Sequence, residues 1–244
     1  MDWSRTSATN AYLDALKLCS KRKKERNSCE ETRELESNEF ISALAAGLNS
    51  KRIVEVTSEA SSSTVALAAA ARQTGGKLIC ILPEPRTLDK SQKVIQDLGL
   101  NEMVEFRAGD PVEVLPNCEN IDFSLVDCNT DNYGRLFEKL DVNRKRSMVV
   151  ANNLVEGRKG VEGLLKGVET MVKVQSMKRP IGKGMEITMI GKSNELGKRE
   201  RSRGSHSRAQ RKGQLVKKTD KSKWVFAVDE RSGEEHIYRL PKSL

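Results

Sequence analysis

The sequence contains few aromatic residues and no long apolar run. Phe, Trp and Tyr make up 4% of its 244 residues, which leaves few side chains that could stack on nucleic-acid bases. No stretch approaches the roughly 18 consecutive apolar residues that a membrane-spanning helix needs. The opening residues also lack the basic and then apolar pattern of a secretion signal. We therefore expect a soluble protein with no membrane partner, located in the cytoplasm, the nucleus or both.

Zinc-binding and hydrolytic motifs are absent as well. The five cysteines form no CxxC pair and lie far from the two histidines, His206 and His236. This spacing predicts buried free thiols in a reducing compartment rather than disulfides or a zinc site. Neither histidine has an evident Ser or Cys partner, which argues against hydrolase chemistry.

The positive charge of the chain is concentrated in one segment. The formal net charge is +9, and residues 192–223 alone hold 12 basic and 3 acidic residues. Because this segment has almost no apolar residues, we expect a disordered linker, followed by a short hairpin in 224–244. The basic segment is either a solvated linker that contacts nothing, or a site of nuclear import or of sequence-independent contact with nucleic acid.

The rest of the chain alternates short β-branched runs with helical segments, a pattern typical of a doubly wound α/β fold. The predicted parallel strands cover residues 53–56, 78–82, 103–107, 121–126 and 147–151. Two alternating runs, 168–176 and 185–190, predict an antiparallel hairpin that closes this Rossmann-like sheet. A helix is also expected over 161–169.

These patterns divide the chain into four parts. Residues 1–36 are expected to form an N-terminal helix and a charged loop over 21–36. Residues 37–191 form the Rossmann-like domain, and 192–223 and 224–244 form the basic linker and the hairpin described above.

The loop after the first predicted strand, TSEASSS over 57–63, contains no glycine. Ligands of such sheets bind at the carboxyl ends of the strands, usually against a glycine-rich loop. The hydroxyl-rich loop has two interpretations. It is a phosphate- or adenosine-binding turn that uses its hydroxyls and the helix N-terminus, or it is an ordinary helix cap.

A second polar group follows the later strands of the sheet. Its members are Asp127, Asn129, Asp131, Asn152 and Asn153. They form either a degenerate metal or polar ligand site or the turns that Asp and Asn favour after strands.

Three stretches resemble class I methyltransferases, in particular the cation-dependent O-methyltransferases of the caffeoyl-CoA type. They are residues 53–66, VDCNTDNY at 126–133 and RPIGKGMEITMI at 179–190. More narrowly, NAYLDALKLC and ESNEFISALAAG resemble a plant family of uncharacterised methyltransferase-like proteins. The resemblance implies S-adenosylmethionine (SAM) or a related nucleoside as the small-molecule ligand. The implied cofactor-binding candidates are Glu55, Thr57, Ser58, Ser63, Glu84, Asp110 and Asp127.

The chain departs from that family at its cofactor positions. Thr57 replaces a glycine, and its side chain narrows the approach of the methionine moiety. Leu82 replaces the acid that holds the ribose, and Glu84 lies two residues further on. We therefore expect SAM to bind weakly.

The metal and catalytic positions of the family are also changed. Asp127 and Asn153 match its metal ligands, but Asn152 replaces a carboxylate, so no tight divalent cation is expected. Thr130 replaces the lysine that deprotonates the acceptor, and threonine cannot act as that base at pH 7. The alternative to a methyltransferase-like protein is thus a catalytically inactive Rossmann-fold binding or regulatory module with a basic tail.

Overall fold

The computed structural model describes most of the region before residue 192 and the two strands of a C-terminal hairpin. The described residues are 3–26, 32–128, 133–154, 161, 173–181, 184–191, 224–228 and 235–239. The chain divides into two compact units, Met1–Ser202 and Arg203–Leu244. No helix in the described ranges is long and apolar enough to cross a membrane.

The first unit is built on a seven-stranded sheet with the spatial order β3-β2-β1-β4-β5-β7-β6. Its strands are β1 (Arg52–Val56), β2 (Lys77–Leu82), β3 (Val104–Ala108), β4 (Phe123–Asp127), β5 (Arg146–Asn152), β6 (Lys173–Arg179) and β7 (Met185–Gly191). The first five strands are mutually parallel, and β7 and β6 are added antiparallel. The predicted doubly wound α/β sheet with a closing hairpin is therefore confirmed.

Helices lie on both faces of the sheet. They are α1 (Arg5–Arg26), α2 (Thr32–Gly47), α3 (Ser62–Thr74), α4 (Leu88–Asp97), α5 (Pro111–Val114) and α6 (Tyr133–Glu138). One buried cluster joins α1–α4 to one face, and a second joins α5 and α6 to the other. Buried β-branched residues on both faces explain why the strands read as continuous apolar runs.

The charged loop predicted over 21–36 is wrong for residues 21–26 and 32–36, and residues 27–31 lie outside the described residues. Within the described residues, α1 continues to Arg26 and α2 begins at Thr32. Lys, Arg and Glu are good helix formers, so a dense run of charge did not by itself indicate a loop. The two helices pack on α3, and the Ser42 hydroxyl donates to the Ala11 carbonyl at 3.2 Å.

The sixth strand extends further along the chain than expected, while the first residues of the predicted range, 168–172, lie outside the described residues. The prediction placed it at 168–176, whereas β6 covers Lys173–Arg179. Met177 packs against the core, and Arg179 pairs with Met185. The strand ends just before Pro180, which lacks the backbone N–H that a ladder needs. Of the helix predicted over 161–169, only Val161 lies within the described residues.

The second unit contains the strands β8 (Trp224–Val228) and β9 (Glu235–Arg239). They pair antiparallel with Trp224 opposite Arg239, which confirms the hairpin predicted near the C-terminus.

Candidate functional site

The site lies at the carboxyl ends of β1 and β4, in the centre of the sheet. The chain leaves β1 for α3 on one face, and leaves β4 for α6 on the other. Crossovers that diverge from neighbouring strands open a crevice, and ligands of open α/β sheets bind in it. Because β1 ends at Val56 and β4 at Asp127, the residues around these two positions form the rim of the crevice.

Glu55 is a buried acid at the base of this crevice. Its side chain is 1% exposed, the Ser63 hydroxyl donates to its Oε1, and the Cys80 thiol lies 3.8 Å from its Oε2. Burial raises the pKa of Glu55 from 4.5 to about 6, against the opposing effect of hydrogen bonds from Ser63, Thr64 and Cys80. The negative charge of Asp127 raises the pKa further. Glu55 is thus a largely ionised carboxylate at neutral pH in a place that disfavours its charge.

The thiol beside Glu55 is affected in turn. Burial, followed by the charge of Glu55, raises the pKa of Cys80 well above its usual value. Cys80 therefore stays a neutral thiol and serves as a weak donor to the carboxylate.

Asp127 stands on the neighbouring strand and on the same face as Glu55. In the β1–β4 register Glu55 lies opposite Leu125, so Asp127 is two residues further along on the same side. The Asn153 side-chain amide donates to Asp127 Oδ1 at 3.0 Å. Asn153 has a φ of 56°, a left-handed conformation that asparagine tolerates better than most residues. Asn152 lies opposite Asp127 in β5.

The first residue of the loop after β1, Thr57, still pairs with the neighbouring strand β2. The Thr57 amide donates to the Ile81 carbonyl at 3.2 Å, and the Thr57 hydroxyl donates to the Glu59 carbonyl at 3.1 Å. The N–H of Thr57 is therefore already engaged by the neighbouring strand.

The second part of the loop is fastened to α4 and to the turn before it. The Ala60 amide donates to the buried Ser91 hydroxyl at 3.0 Å, and Lys90 forms an ion pair with Glu59 at 2.6 Å. The Ser58 carbonyl accepts a hydrogen bond from the Thr87 hydroxyl at 3.2 Å. These contacts hold the loop without any glycine.

The N-terminus of α3 shows a complete capping box. Ser61 is the N-cap, and its hydroxyl accepts from the Ser63 amide at 3.2 Å. Thr64 reaches back to accept from the Ser61 amide at 3.0 Å. The cap interpretation of this stretch thus accounts for Ser61 and Thr64, while the Ser63 hydroxyl contacts Glu55 instead.

Two predicted site residues lie away from Glu55 and Asp127 and have local roles. Glu84 follows β2, is half exposed, and pairs with Arg86 at 2.5 Å. Asp110 follows β3 and caps α5, where its Oδ1 accepts from the Val112 amide at 2.9 Å. Leu82, at the ribose-binding position of the resembled family, is completely buried.

The described residues contain no group of three His, Cys, Asp or Glu side chains that could hold a metal ion. Asp127 and Asn153 contact each other, and Asn152 adjoins them. Thr130 and Asp131 lie outside the described residues, as does Asn129. The absence of a tight divalent cation site stays a prediction.

The sequence did not single out Cys80, Thr64 and Ser91 as parts of the site. Cys80 stands opposite Glu55 in the β1–β2 register, and Ser91 is 1% exposed although serine is usually a surface residue. A polar group inside an otherwise apolar strand is the signal that could have identified Cys80.

Comparison with known proteins places this chain in a recognised class of fold. An O-methyltransferase from Bacillus cereus, solved in complex with SAH, superposes with a TM-score of 0.53 at 18% identity, covering 73% of this chain and 90% of that one. A methyltransferase from Geobacter sulfurreducens superposes with a TM-score of 0.52 at 17% identity, covering 74% of this chain and 88% of that one. TomG, an O-methyltransferase from Streptomyces achromogenes solved with SAM, superposes with a TM-score of 0.52 at 17% identity. The match covers 73% of this chain and 90% of that one.

A curated catechol O-methyltransferase from Niastella koreensis is 28% identical over 126 residues, which are 49% of this chain and 57% of that protein. The chain thus spans little more than half the length of the curated relative it matches. Together with the strand order, these similarities define a protein of the class I methyltransferase fold. Residues 1–240 match the model of one family, and the chain belongs to that family, DUF1442, described as a protein of unknown function.

Proposed function

We propose that this protein binds SAM in the crevice between β1 and β4 and is a methyltransferase-like protein with an oxygen acceptor. The observation that carries the proposal is the pair of carboxylates, Glu55 and Asp127, on adjoining strands at the point where the crossovers diverge. The O-methyltransferase relatives described above, two of them solved with SAM or SAH, support the choice of ligand.

The residues fit the methionine end of SAM. Its sulfonium and ammonium groups are cations, and Glu55 and Asp127 place two carboxylates at the crevice. The buried Glu55 charge is held by donors from Ser63 and Cys80, so the crevice carries negative charge before a ligand arrives. Bound in this crevice, SAM would supply an electrophilic methyl group for an acceptor oxygen.

The residues fit the ribose end poorly. Leu82 is buried and offers no hydrogen-bond acceptor. Glu84 would have to leave Arg86 to reach a ribose, which costs little because exposed ion pairs contribute little to stability. The missing acceptor for the ribose and the side chain of Thr57 lead us to expect a dissociation constant of tens of micromolar, which corresponds to a binding free energy of about 6 kcal/mol.

Calorimetric titration of the full chain with SAM, and with its demethylated product, tests the proposal. We expect saturable binding of both, with dissociation constants of about tens of micromolar or weaker. Circular dichroism on the same sample establishes that the protein is folded.

A folded protein without detectable binding of either compound would contradict the proposal. That result would favour the second candidate, a catalytically inactive binding module that keeps the fold. The buried Leu82 and the side chain at Thr57 are the observations that favour it, because both reduce what the crevice offers to SAM.

A further inference from the structure

The opposite edge of the sheet, where the parallel strands begin, carries an open cationic groove. The groove has a volume of about 450 Å³, and its cations are Lys51, Arg52, Lys77 and Arg107. It stays open because the crossover from β3 to β4 contains only α5, a single helical turn, and a short 3-10 turn at Leu115–Asn117. We propose that this groove and the adjoining strand ends, named here the amino edge, bind the phosphate backbone of a nucleic acid.

Carbonyl groups hold three of these cations along the edge without neutralising them. The Arg52 guanidinium donates to the Glu119 carbonyl at 2.8 Å, Lys77 donates to the Glu102 carbonyl, and Lys51 donates to the Thr74 carbonyl.

The groove also contains two carboxylates, Glu105 and Glu119. Glu105 pairs with Arg107 at 2.8 Å, which neutralises both groups. Of the remaining charged residues in the lining, Glu119 is negative and three are positive: Lys51, Arg52 and Lys77. The lining as a whole therefore carries positive charge and attracts anions.

The positive charge continues across the sheet to the start of β5. Arg144 and Lys145 are exposed in the turn before this strand. The acids nearby are already engaged with backbone amides. Asp122 accepts from the amides of Lys51 and Arg52 at 2.8 and 3.1 Å.

Asp141 is engaged in the same way, because it accepts from the Asn120 amide at 3.0 Å. The five cations of this edge still outnumber its four acids, so its net charge is positive. The cations are Lys51, Arg52, Lys77, Arg144 and Lys145, and the acids are Glu102, Glu119, Asp122 and Asp141.

The spacing of the cations suits a chain of phosphates better than one small anion. They stand at the starts of β2, β1 and β5, and β4 lies between the last two. At about 4.8 Å between neighbouring strands, the row is about 14 Å long. Phosphates along one strand follow each other about every 3.4 Å of helix axis, so a single nucleic-acid strand can engage the whole row.

The course of the chain favours the same partner. In the β5–β7 pair Gly191 lies opposite Arg146, so the chain leaves the sheet at the amino edge. The sequence that follows, residues 192–223, carries 12 basic and 3 acidic residues. The positive charge of the sequence thus continues from an edge that is already cationic. Aromatic residues are scarce, so we infer contact with phosphates and not with bases.

The test is equilibrium binding of the full chain to labelled duplex DNA and to labelled single-stranded RNA, by fluorescence anisotropy at 50–200 mM salt. Two double variants remove cations from the amino edge: Arg52→Gln with Lys77→Gln, and Arg144→Gln with Lys145→Gln. The matched control, Lys17→Gln with Lys93→Gln, removes the same charge from exposed positions on α1 and α4.

We expect each edge variant to lower the slope of log K against log salt by about 1.8 on duplex DNA and about 1.4 on RNA, because two phosphate contacts are lost. Between 50 and 200 mM salt, the wild-type protein should then lose about tenfold more affinity for DNA than either edge variant. The control should keep the wild-type slope. Binding to DNA, to RNA or to both with this difference in slope supports the interface.

Three results would overturn the proposal. The first is an edge variant that is folded and binds with the slope of the control, which would leave residues 192–223 as the whole source of attraction. The second is no binding by the full chain at 50 mM salt. The third is binding to vesicles with 30% phosphatidylserine but to neither nucleic acid.

The turn that contains Arg144 and Lys145 is exposed, so that variant reports on the edge even if removal of Arg52 and Lys77 lowers stability. SAM titration of the edge variants separates this proposal from the function proposed above. The two sites lie at opposite edges of the sheet, and SAM affinity should not change.

Discussion

Replacement of Glu55 by glutamine tests whether the buried acid is retained at the expense of stability. Burial raises its pKa from 4.5 to about 6 in the folded protein. The folded state therefore binds the proton more tightly than the unfolded chain does. The stability contributed by the protonated form is fully present below pH 4.5 and is lost as the pH rises to about 6.

The size of the effect follows from the shift. A difference of about 1.5 pKa units at about 1.36 kcal/mol per unit gives a loss of about 2 kcal/mol between pH 4.5 and pH 7. Glutamine has nearly the same shape, stays neutral, and can still accept from the Ser63 hydroxyl. Relative to the wild-type protein, Glu55→Gln should gain about 2 kcal/mol as the pH rises through this window.

Thermal unfolding at a series of pH values from 4.5 to 8 measures the difference. For a chain of this size, 2 kcal/mol corresponds to about 4–8 °C in the melting temperature. Glu119→Gln removes an exposed carboxylate and reports the effect of a change in net charge alone. A melting difference between Glu55→Gln and wild type that is independent of pH would refute the reasoning.

The same variant should bind SAM at least tenfold more weakly, because the crevice loses one of its two carboxylates. A more stable protein that binds its ligand less well is the pattern expected where a site residue is kept for function.

Two further predictions concern Asn152 and Thr57, where the chain departs from the methyltransferases that it resembles. Millimolar Mg²⁺ should leave the melting temperature of the wild type unchanged, because Asn152 leaves the site one carboxylate short of what a hard cation prefers. Asn152→Asp should introduce an upward shift that Asp127→Ala abolishes, and a shift of several degrees in the wild type would contradict this. Thr57→Gly should raise SAM affinity several-fold, while Thr57→Ala, which retains Cβ, should not; equal gains in both variants would show that Cβ does not obstruct the ligand.

The sheet was predictable because its strands are buried on both faces. Ile53 and Val54 pack in different clusters on opposite faces of β1, so both must be apolar. Continuous β-branched runs of this kind, separated by helical spacing, leave few alternatives to a parallel sheet.

The first two helices and the sixth strand were less predictable. The dense charge suggested a loop where the structure has the end of α1 and the start of α2. Lys and Glu are good helix formers, so a highly charged segment can still be helical. The end of β6 depends on its pairing with β7, where Arg179 lies opposite Met185, and such pairing cannot be read from local pattern.

The site was only partly predictable. Resemblance identified Glu55 and Ser63, which are in contact in the structure. Cys80 joins them through the register of two strands 25 residues apart, which sequence spacing does not reveal. Glu84 was expected near the ribose, but the structure pairs it with Arg86 two residues away, a local contact that competes with any distant one.

Calorimetric titration of SAM into Asp127→Asn and Asp141→Asn tests the central claim most directly. Asp127 ends β4 at the carboxyl edge, whereas Asp141 lies at the amino edge and accepts from the Asn120 amide. Asparagine keeps an oxygen for the Asn153 and Asn120 contacts, so both variants should remain folded. If the cofactor lies between β1 and β4, Asp127→Asn should weaken SAM binding about tenfold or more and Asp141→Asn should leave it unchanged. Equal affinities in the two variants, or a loss confined to Asp141→Asn, would contradict the assignment of the site.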